Sequence, residues 1–248
     1  MRDPLTCGAR THTGLVRPKN EDSYAILNQD GGLPTAFILA DGMGGHRRGD
    51  LASRIAVDYV CERLKQELAI ARPIAELSRQ LADTVEKANV KVYLGSLSHD
   101  QSLGMGTTLT LAVLLPDHIL IAHVGDCRAW LLHGNDLHQL TVDHTLVQEM
   151  VNSGSLTEAE SHQHPRRNVL TRALGVPEYL QPDILTIPVQ HGDRFLVSSD
   201  GMHNLVDTMT IRNAMRREKT PDELVDTLVN LALEAGGDDN ITVLAAYL

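Results

Sequence analysis

Apolar and polar positions along this chain follow two periods, and the switches between them mark out its elements. Residues Thr35 to Ala40 form a short apolar run ending at Asp41, a strand by length and flanks. A helical period follows, with Leu51, Ile55, Tyr59, Leu64 and Leu68 on one broad face. A second helical stretch carries Ile74, Leu77, Leu81, Val85, Ala88 and Val92 at spacings of three or four. Arg72-Pro73 separates the two, so an antiparallel helix pair laid on a sheet is expected. The period then becomes strand-like through Thr107 to Leu115, Ile119 to Val124 and Ala129 to Leu132. Turn signals at Pro116-Asp117, Gly125-Asp126 and Gly134-Asn135 punctuate these runs and predict an antiparallel meander.

Further along, Thr157 with Glu160 suits a capping box for a short helix. Phe195 to Ser199 reads as a strand ending at Asp200. Thr220-Pro221-Asp222-Glu223 is a stronger helix start, with a Thr cap, Pro in the first turn and Glu reaching back. That helix is expected to bury Leu224, Leu228 and Leu231 and to stop at Gly236-Gly237. Ile241 to Leu248 closes the chain as a strand. Strands grouped apart from helix pairs predict an α+β layered fold in one domain over residues 1–248, not a wound βαβ sheet.

Acidic clusters sit at the ends of the apolar runs. They are Asn20-Glu21-Asp22, Asp41-Gly42-Met43-Gly44-Gly45, Ser199-Asp200-Gly201 and Asp238-Asp239-Asn240. Taken singly, an Asp-Gly pair suits a turn. Taken together, carboxylates at strand ends suit hard cations such as Mg2+ or Mn2+, which prefer oxygen donors. Two such ions about 3.5–4 Å apart clamp a bridging water and a substrate oxygen. Glu21, Asp41, Asp200 and Asp239 fit that need, and Gly42 offers a backbone carbonyl.

Composition narrows the classes. The 248 residues carry a formal net charge of −10, which argues against a nucleic-acid or anionic-membrane binder. Aromatics are 3 %, so the core must rest on Leu, Val, Ile and Ala. Cys7, Cys61 and Cys127 are odd in number and far apart, which reads as reduced thiols. No apolar run approaches the roughly 20 residues that span a bilayer, and no signal peptide is expected. A cytoplasmic protein is the expectation.

The motifs in their order resemble a known family. Asn20-Glu21-Asp22-Ser23, Asp41-Gly42-Met43-Gly44-Gly45-His46, Gly106-Thr107-Thr108, Gly125-Asp126-Cys127-Arg128, Ser199-Asp200-Gly201 and Asp239-Asn240-Ile241-Thr242 are similar to those of the PPM, or protein phosphatase 2C, family. Asp143-His144-Thr145-Leu146-Val147 and the stretch His164 to Gly175 resemble its bacterial branch of metal-dependent Ser/Thr protein phosphatases. The resemblance implies an α-β-β-α sandwich, two packed antiparallel sheets flanked by helix pairs. It implies that Asp41 bridges two Mn2+ or Mg2+ ions, that Asp200 and Asp239 complete one shell, and that Glu21 and the Gly42 carbonyl complete the other. Asp22 would hold metal-bound water, Asp126 with Asp200 a third ion, and Arg17 the substrate phosphate. The nucleophile implied is a metal-bridging water acting on phosphoserine or phosphothreonine.

Three departures bear on that reading. Met43 stands where eukaryotic relatives commonly have His, and Met transfers no proton, which leaves a metal-bound water or His46 as the general acid. His203 stands where many relatives have Trp or Thr, which bears on packing or substrate contacts. His162 and His164 form a local cluster open to a transition metal or simply solvated. The segment at about 145–175 matches the family's variable flap and is expected to be mobile and to shape access for phosphopeptides. Expected partners are phosphoprotein substrates and a cognate Ser/Thr kinase, with the chain a monomer. Two other readings stay open: a non-catalytic binding member of the family, and a metal-dependent phosphodiesterase or nuclease.

Overall fold

The computed structural model describes residues 5–29, 32–43, 48–67, 72–98, 104–161, 163–177 and 179–248. Gly44, Gly45, His46, Leu68 and His162 lie outside the described residues. One antiparallel sheet joins β1 (Thr6–His12), β7 (Arg128–His133), β8 (Asp136–Gln139), β10 (Arg194–Ser198) and β11 (Ile241–Tyr247) in the order β1-β11-β10-β7-β8. The other joins β2 (Asp22–Gln29), β3 (Gly32–Met43), β5 (Leu109–Leu114), β6 (His118–Val124) and β9 (Asp183–Pro188) in the order β2-β3-β5-β6-β9. The short β4 (Gly106–Thr107) pairs with the end of β3.

Strand period two sorts the side chains into three apolar layers. Phe37 and Leu39 of β3 face Phe195 and Val197 of β10 between the sheets, where the Phe37 and Phe195 rings meet edge to face at 5.9 Å. Ala36, Ile38 and Ala40 point the other way, under the helices α1 (Gly49–Glu67) and α2 (Ile74–Ser96). Leu196, Val243 and Ala245 likewise point out under α6 (Thr208–Arg217) and α7 (Pro221–Glu234). The layers therefore run α-β-β-α, as the resemblance implied.

Several expected elements take a different form. On α1 the buried stripe is Ala52, Ala56, Val60 and Leu64, while Leu51, Ile55 and Tyr59 are only partly buried along its flank. Small residues let the helix sit close to the sheet, so the larger ones are displaced sideways. On α7 the capping box is present, with Thr220 and Glu223 bonded reciprocally, but Leu231 is only partly buried. The Thr157–Glu160 box likewise caps α4 (Glu158–Ser161).

The expected run from Thr107 to Leu115 breaks at Thr108, which leaves the ladder to bond Asp41. The predicted meander is corrected too: Ala129 to Leu132 joins the opposite sheet, beside β10. Gly125 makes that crossing possible. Its φ of +111° suits glycine, and a Cβ there would overlap the Thr108 side chain. Segment 145–175 follows β8 and carries α3 (Leu146–Asn152) and α4, and a Thr145–Leu170 bridge ties it near both ends.

Candidate metal and phosphate site

The acidic residues converge at one end of the sandwich. β2 and β3 set Asp22 and Asp41 directly opposite each other in register. Asp41 lies inside β3 and not at its end. Its backbone is held by Thr108, which accepts its N–H at 2.9 Å and donates its own N–H to the Asp41 carbonyl at 2.8 Å. Asp126 follows the Gly125 crossing, Asp200 opens the four-residue helix α5 (Asp200–His203), and Asp239 precedes β11. Asp41, Asp126, Asp200 and Asp239 line one cavity of about 160 Å3 together with Glu21, Gly42 and Arg17. Every residue expected to bind metal or phosphate is therefore brought to the same place.

Gly42 has a steric reason to be glycine. A Cβ there would overlap the backbone carbonyls of Gly49, at the start of α1, and of Glu21. Its N–H donates to the Glu21 carbonyl at 3.2 Å. That close approach brings Glu21 beside Asp41.

Electrostatics mark the cluster as one short of positive charge. Burial raises the Asp41 pKa well above the carboxylate range, and Asp22, Asp200, Asp126 and Asp239 raise it further. Burial and then Asp239 push Asp200 up to about 6. Burial and then Asp200 raise Asp126, and burial with Asp50 raises Glu21. Among the described residues, no three of these groups close tightly enough on one point to enclose an ion as they stand. One contact already engages their oxygens: a 2.6 Å ion pair from Arg17 Nη2 to Asp239 Oδ2. The donor set is nevertheless all hard oxygen, and like charges packed this closely suit divalent cations.

Asp22 is placed differently. It is partly buried, and its Oδ2 accepts from Thr242 Oγ1 at 2.6 Å and Ser199 Oγ at 3.0 Å, both attached to the opposite sheet. Its Oδ1 is buried without a partner. Burial pushes its pKa up to about 7, against those two hydroxyl bonds.

Several contributors were not singled out from the sequence. Asn240 accepts the Glu21 N–H at 2.8 Å and donates to the carbonyls of Thr13 and Lys19, which pins the loop carrying Arg17. Ser53 of α1 donates to the Glu21 carbonyl at 2.6 Å. Asp50, buried beneath the loop, pairs with Lys19 at 2.5 Å. Asn240 adjoins the acidic cluster and carries that signal; Ser53 and Asp50 lie in an ordinary helical pattern and carry none.

Met43 lines the cavity as an apolar wall. His203 is buried as packing: Ser198 Oγ lies 3.3 Å from Trp130 Nε1 and 3.0 Å from His203 Nδ1. Burial, with Arg128 adding to it, keeps that ring neutral. Cys127 lies against Thr108, and burial with Asp41 and Asp126 raises its thiol well above the usual range, which suits it to packing and not to attack.

The chain as a whole has known relatives. A sequence model of protein phosphatase 2C matches residues 12–244. The chain belongs to the protein phosphatase 2C family. It is 38 % identical over 235 residues to the serine/threonine phosphatase stp of Listeria monocytogenes, across 95 % of this chain and 92 % of that one. The Streptococcus agalactiae serine/threonine phosphatase superposes with a TM-score of 0.88 at 34 % identity, covering 98 % and 99 % of the two chains. A crystal structure of the catalytic domain of the phosphatase PstP in complex with two manganese ions has a TM-score of 0.83 at 34 % identity, covering 98 % and 97 %. This protein phosphatase 2C member is accordingly a metal-dependent protein serine/threonine phosphatase of the bacterial type. Among its described residues no helix is long and apolar enough to cross a membrane.

Proposed function

We propose that the cavity hydrolyses phosphoserine and phosphothreonine on phosphoproteins, with each acidic residue in a distinct role. Asp41, Asp200, Asp239, Glu21 and the Gly42 carbonyl would hold two Mn2+ or Mg2+ ions, with Asp41 shared between them, and Asp126 with Asp200 would hold a third. The observation that carries this is the meeting of five carboxylates from five chain segments with Arg17 in one cavity. When bound, Mn2+ or Mg2+ supplies Lewis-acid charge and lowers the pKa of water at the site.

The protein's own groups do the rest. Arg17 leaves Asp239 for the substrate, because its planar fork grips two oxygens of a phosphate monoester carrying close to two negative charges. The same movement frees Asp239 as a ligand. Thr242 and Ser199 immobilise one oxygen of Asp22, which leaves Oδ1 to accept a hydrogen bond or proton from water at the site. Segment 145–175 acts as a flap beside the cavity, since Asn168 and Leu170 form part of its wall. We infer cytoplasmic action, as a monomer, on the targets of a cognate Ser/Thr kinase. The test is hydrolysis of a phosphothreonine peptide with Mn2+, abolished by chelator and by Asp41→Asn; turnover that survives both overturns the proposal.

A further inference from the structure

A polar chain outside the cavity ties segment 145–175 to Asp126, and His144 is its centre. The imidazole is buried. Its Nδ1 accepts the Gly125 N–H at 3.0 Å, and its Nε2 lies 3.1 Å from Asp183 Oδ2. A backbone N–H can only donate, so Nδ1 carries no proton and the ring proton sits on Nε2, pointing at Asp183. The other Asp183 oxygen accepts from Arg172 Nη1 at 2.6 Å. Burial opposes the charge on Asp183, but Arg172 and His144 outweigh it and keep the carboxylate ionised.

The backbone repeats the connection. His144 N–H donates to the Gly125 carbonyl at 2.8 Å, so one residue holds both polar groups of the glycine where the chain crosses between sheets. The next residue is Asp126. On the other side, the His144 carbonyl accepts the Thr171 N–H at 2.8 Å, which binds the far end of segment 145–175. His123 supports the ring from β6: its imidazole lies 4.9 Å from His144, centroid to centroid, and its Nδ1 is 2.9 Å from Thr110 Oγ1. His123 is also the register partner of Asp183, so ring and carboxylate share one rigid strand pair.

We propose that His144 is a positioning residue: locked as the neutral Nε2–H tautomer between Gly125 and Asp183, it fixes the Gly125–Asp126 turn and sets the affinity of the divalent cation that Asp126 holds. The inference rests on the assignment of Asp126 as an ion ligand. A loosened turn lets the Asp126 carboxylate drift, and groups that orient a ligand are worth about 10- to 100-fold in metal affinity.

Two isosteres separate the halves of the chain. Asn places an acceptor where Nδ1 lies and cannot reach Asp183; Gln places a donor where Nε2 lies and offers Gly125 nothing. The experiment is calorimetric Mn2+ titration of the wild type, His144→Asn, His144→Gln and Asp126→Asn. The expected result is an unchanged weakest site in His144→Asn, a Kd raised roughly 10-fold in His144→Gln, and loss of that site in Asp126→Asn. Equal effects of the two isosteres, or the reverse order, overturn the role of His144 while leaving the ligand assignment intact. Retention of every site in Asp126→Asn overturns the assignment and the inference with it. Should His144→Gln fail to fold, 15N NMR of the wild-type ring under Mg2+ titration decides. An Nε2–H tautomer whose signal follows filling of the weakest site is expected; an Nδ1–H tautomer, or an unmoved signal, overturns the proposal.

Discussion

Arg17 reaches 2.6 Å from Asp239, so the cation expected to grip substrate holds a carboxylate expected to grip metal. Both side chains are partly exposed, which makes the pair a cheap contact to exchange. Arg17→Ala should lower kcat/KM on a phosphopeptide roughly 10- to 100-fold, the worth of charged hydrogen bonds to phosphate, chiefly through KM. Calorimetry should show Mn2+ binding no weaker than in the wild type, because Asp239 is released. Steady-state kinetics showing an unchanged kcat/KM would sink the assignment.

Asp41→Asn and Asp239→Asn each remove a charge from the centre of the cluster. Both should cut phosphopeptide turnover by about three orders of magnitude or more, with circular dichroism unchanged. Activity within a few fold of the wild type would show that the proposed shells are wrong.

Stability should depend on pH and metal together. Asp200 and Asp22 have folded pKa values raised to about 6 and about 7 from a reference of 3.8. The unfolded chain therefore gives up these protons first, and the favourable contribution present at low pH is lost as pH rises through 6 and 7. In chelator the Tm should fall between pH 5 and pH 8 relative to the Mn2+-loaded protein. A gap between the two forms that does not widen across that window contradicts the charge-deficient cluster.

Gly42→Ala should destabilise the fold by about 2 kcal/mol, since the new Cβ meets backbone that has no room to move. Gly32→Ala, where a Cβ meets open space, serves as the control. Urea unfolding of the two variants measures the difference, and equal midpoints would argue against the close approach of α1 to β3.

Removing residues 153–162 takes away α4 and the turn before it while leaving the Thr145–Leu170 bridge. The loss should be larger on phosphoproteins than on a small aryl phosphate. Equal losses on both substrates would deny the segment a part in substrate access.

Much of the architecture was legible along the chain because it depends on near neighbours. The α2 stripe, the caps at Thr157 and Thr220, and the apolar cores of β3, β10 and β11 are local patterns. The carboxylates were legible as candidates, since buried-looking strand ends seldom carry acids without a partner. What stayed hidden depends on partners far apart in sequence. Nothing near Ala129 says that it crosses to the other sheet, and nothing near Ser53 says that it holds Glu21, 32 residues away.

The order of residues by itself determined which chemistry the chain can host: hard oxygen donors at strand ends, an arginine four residues before Glu21, and cysteines too far apart to pair. Tertiary structure alone decided that five carboxylates share one cavity, that Arg17 rests on Asp239, and that His144 grips Gly125. The physical reason is range. Capping and periodicity act over about four residues, whereas burial and Coulomb repulsion act on whatever the packed sheets bring together.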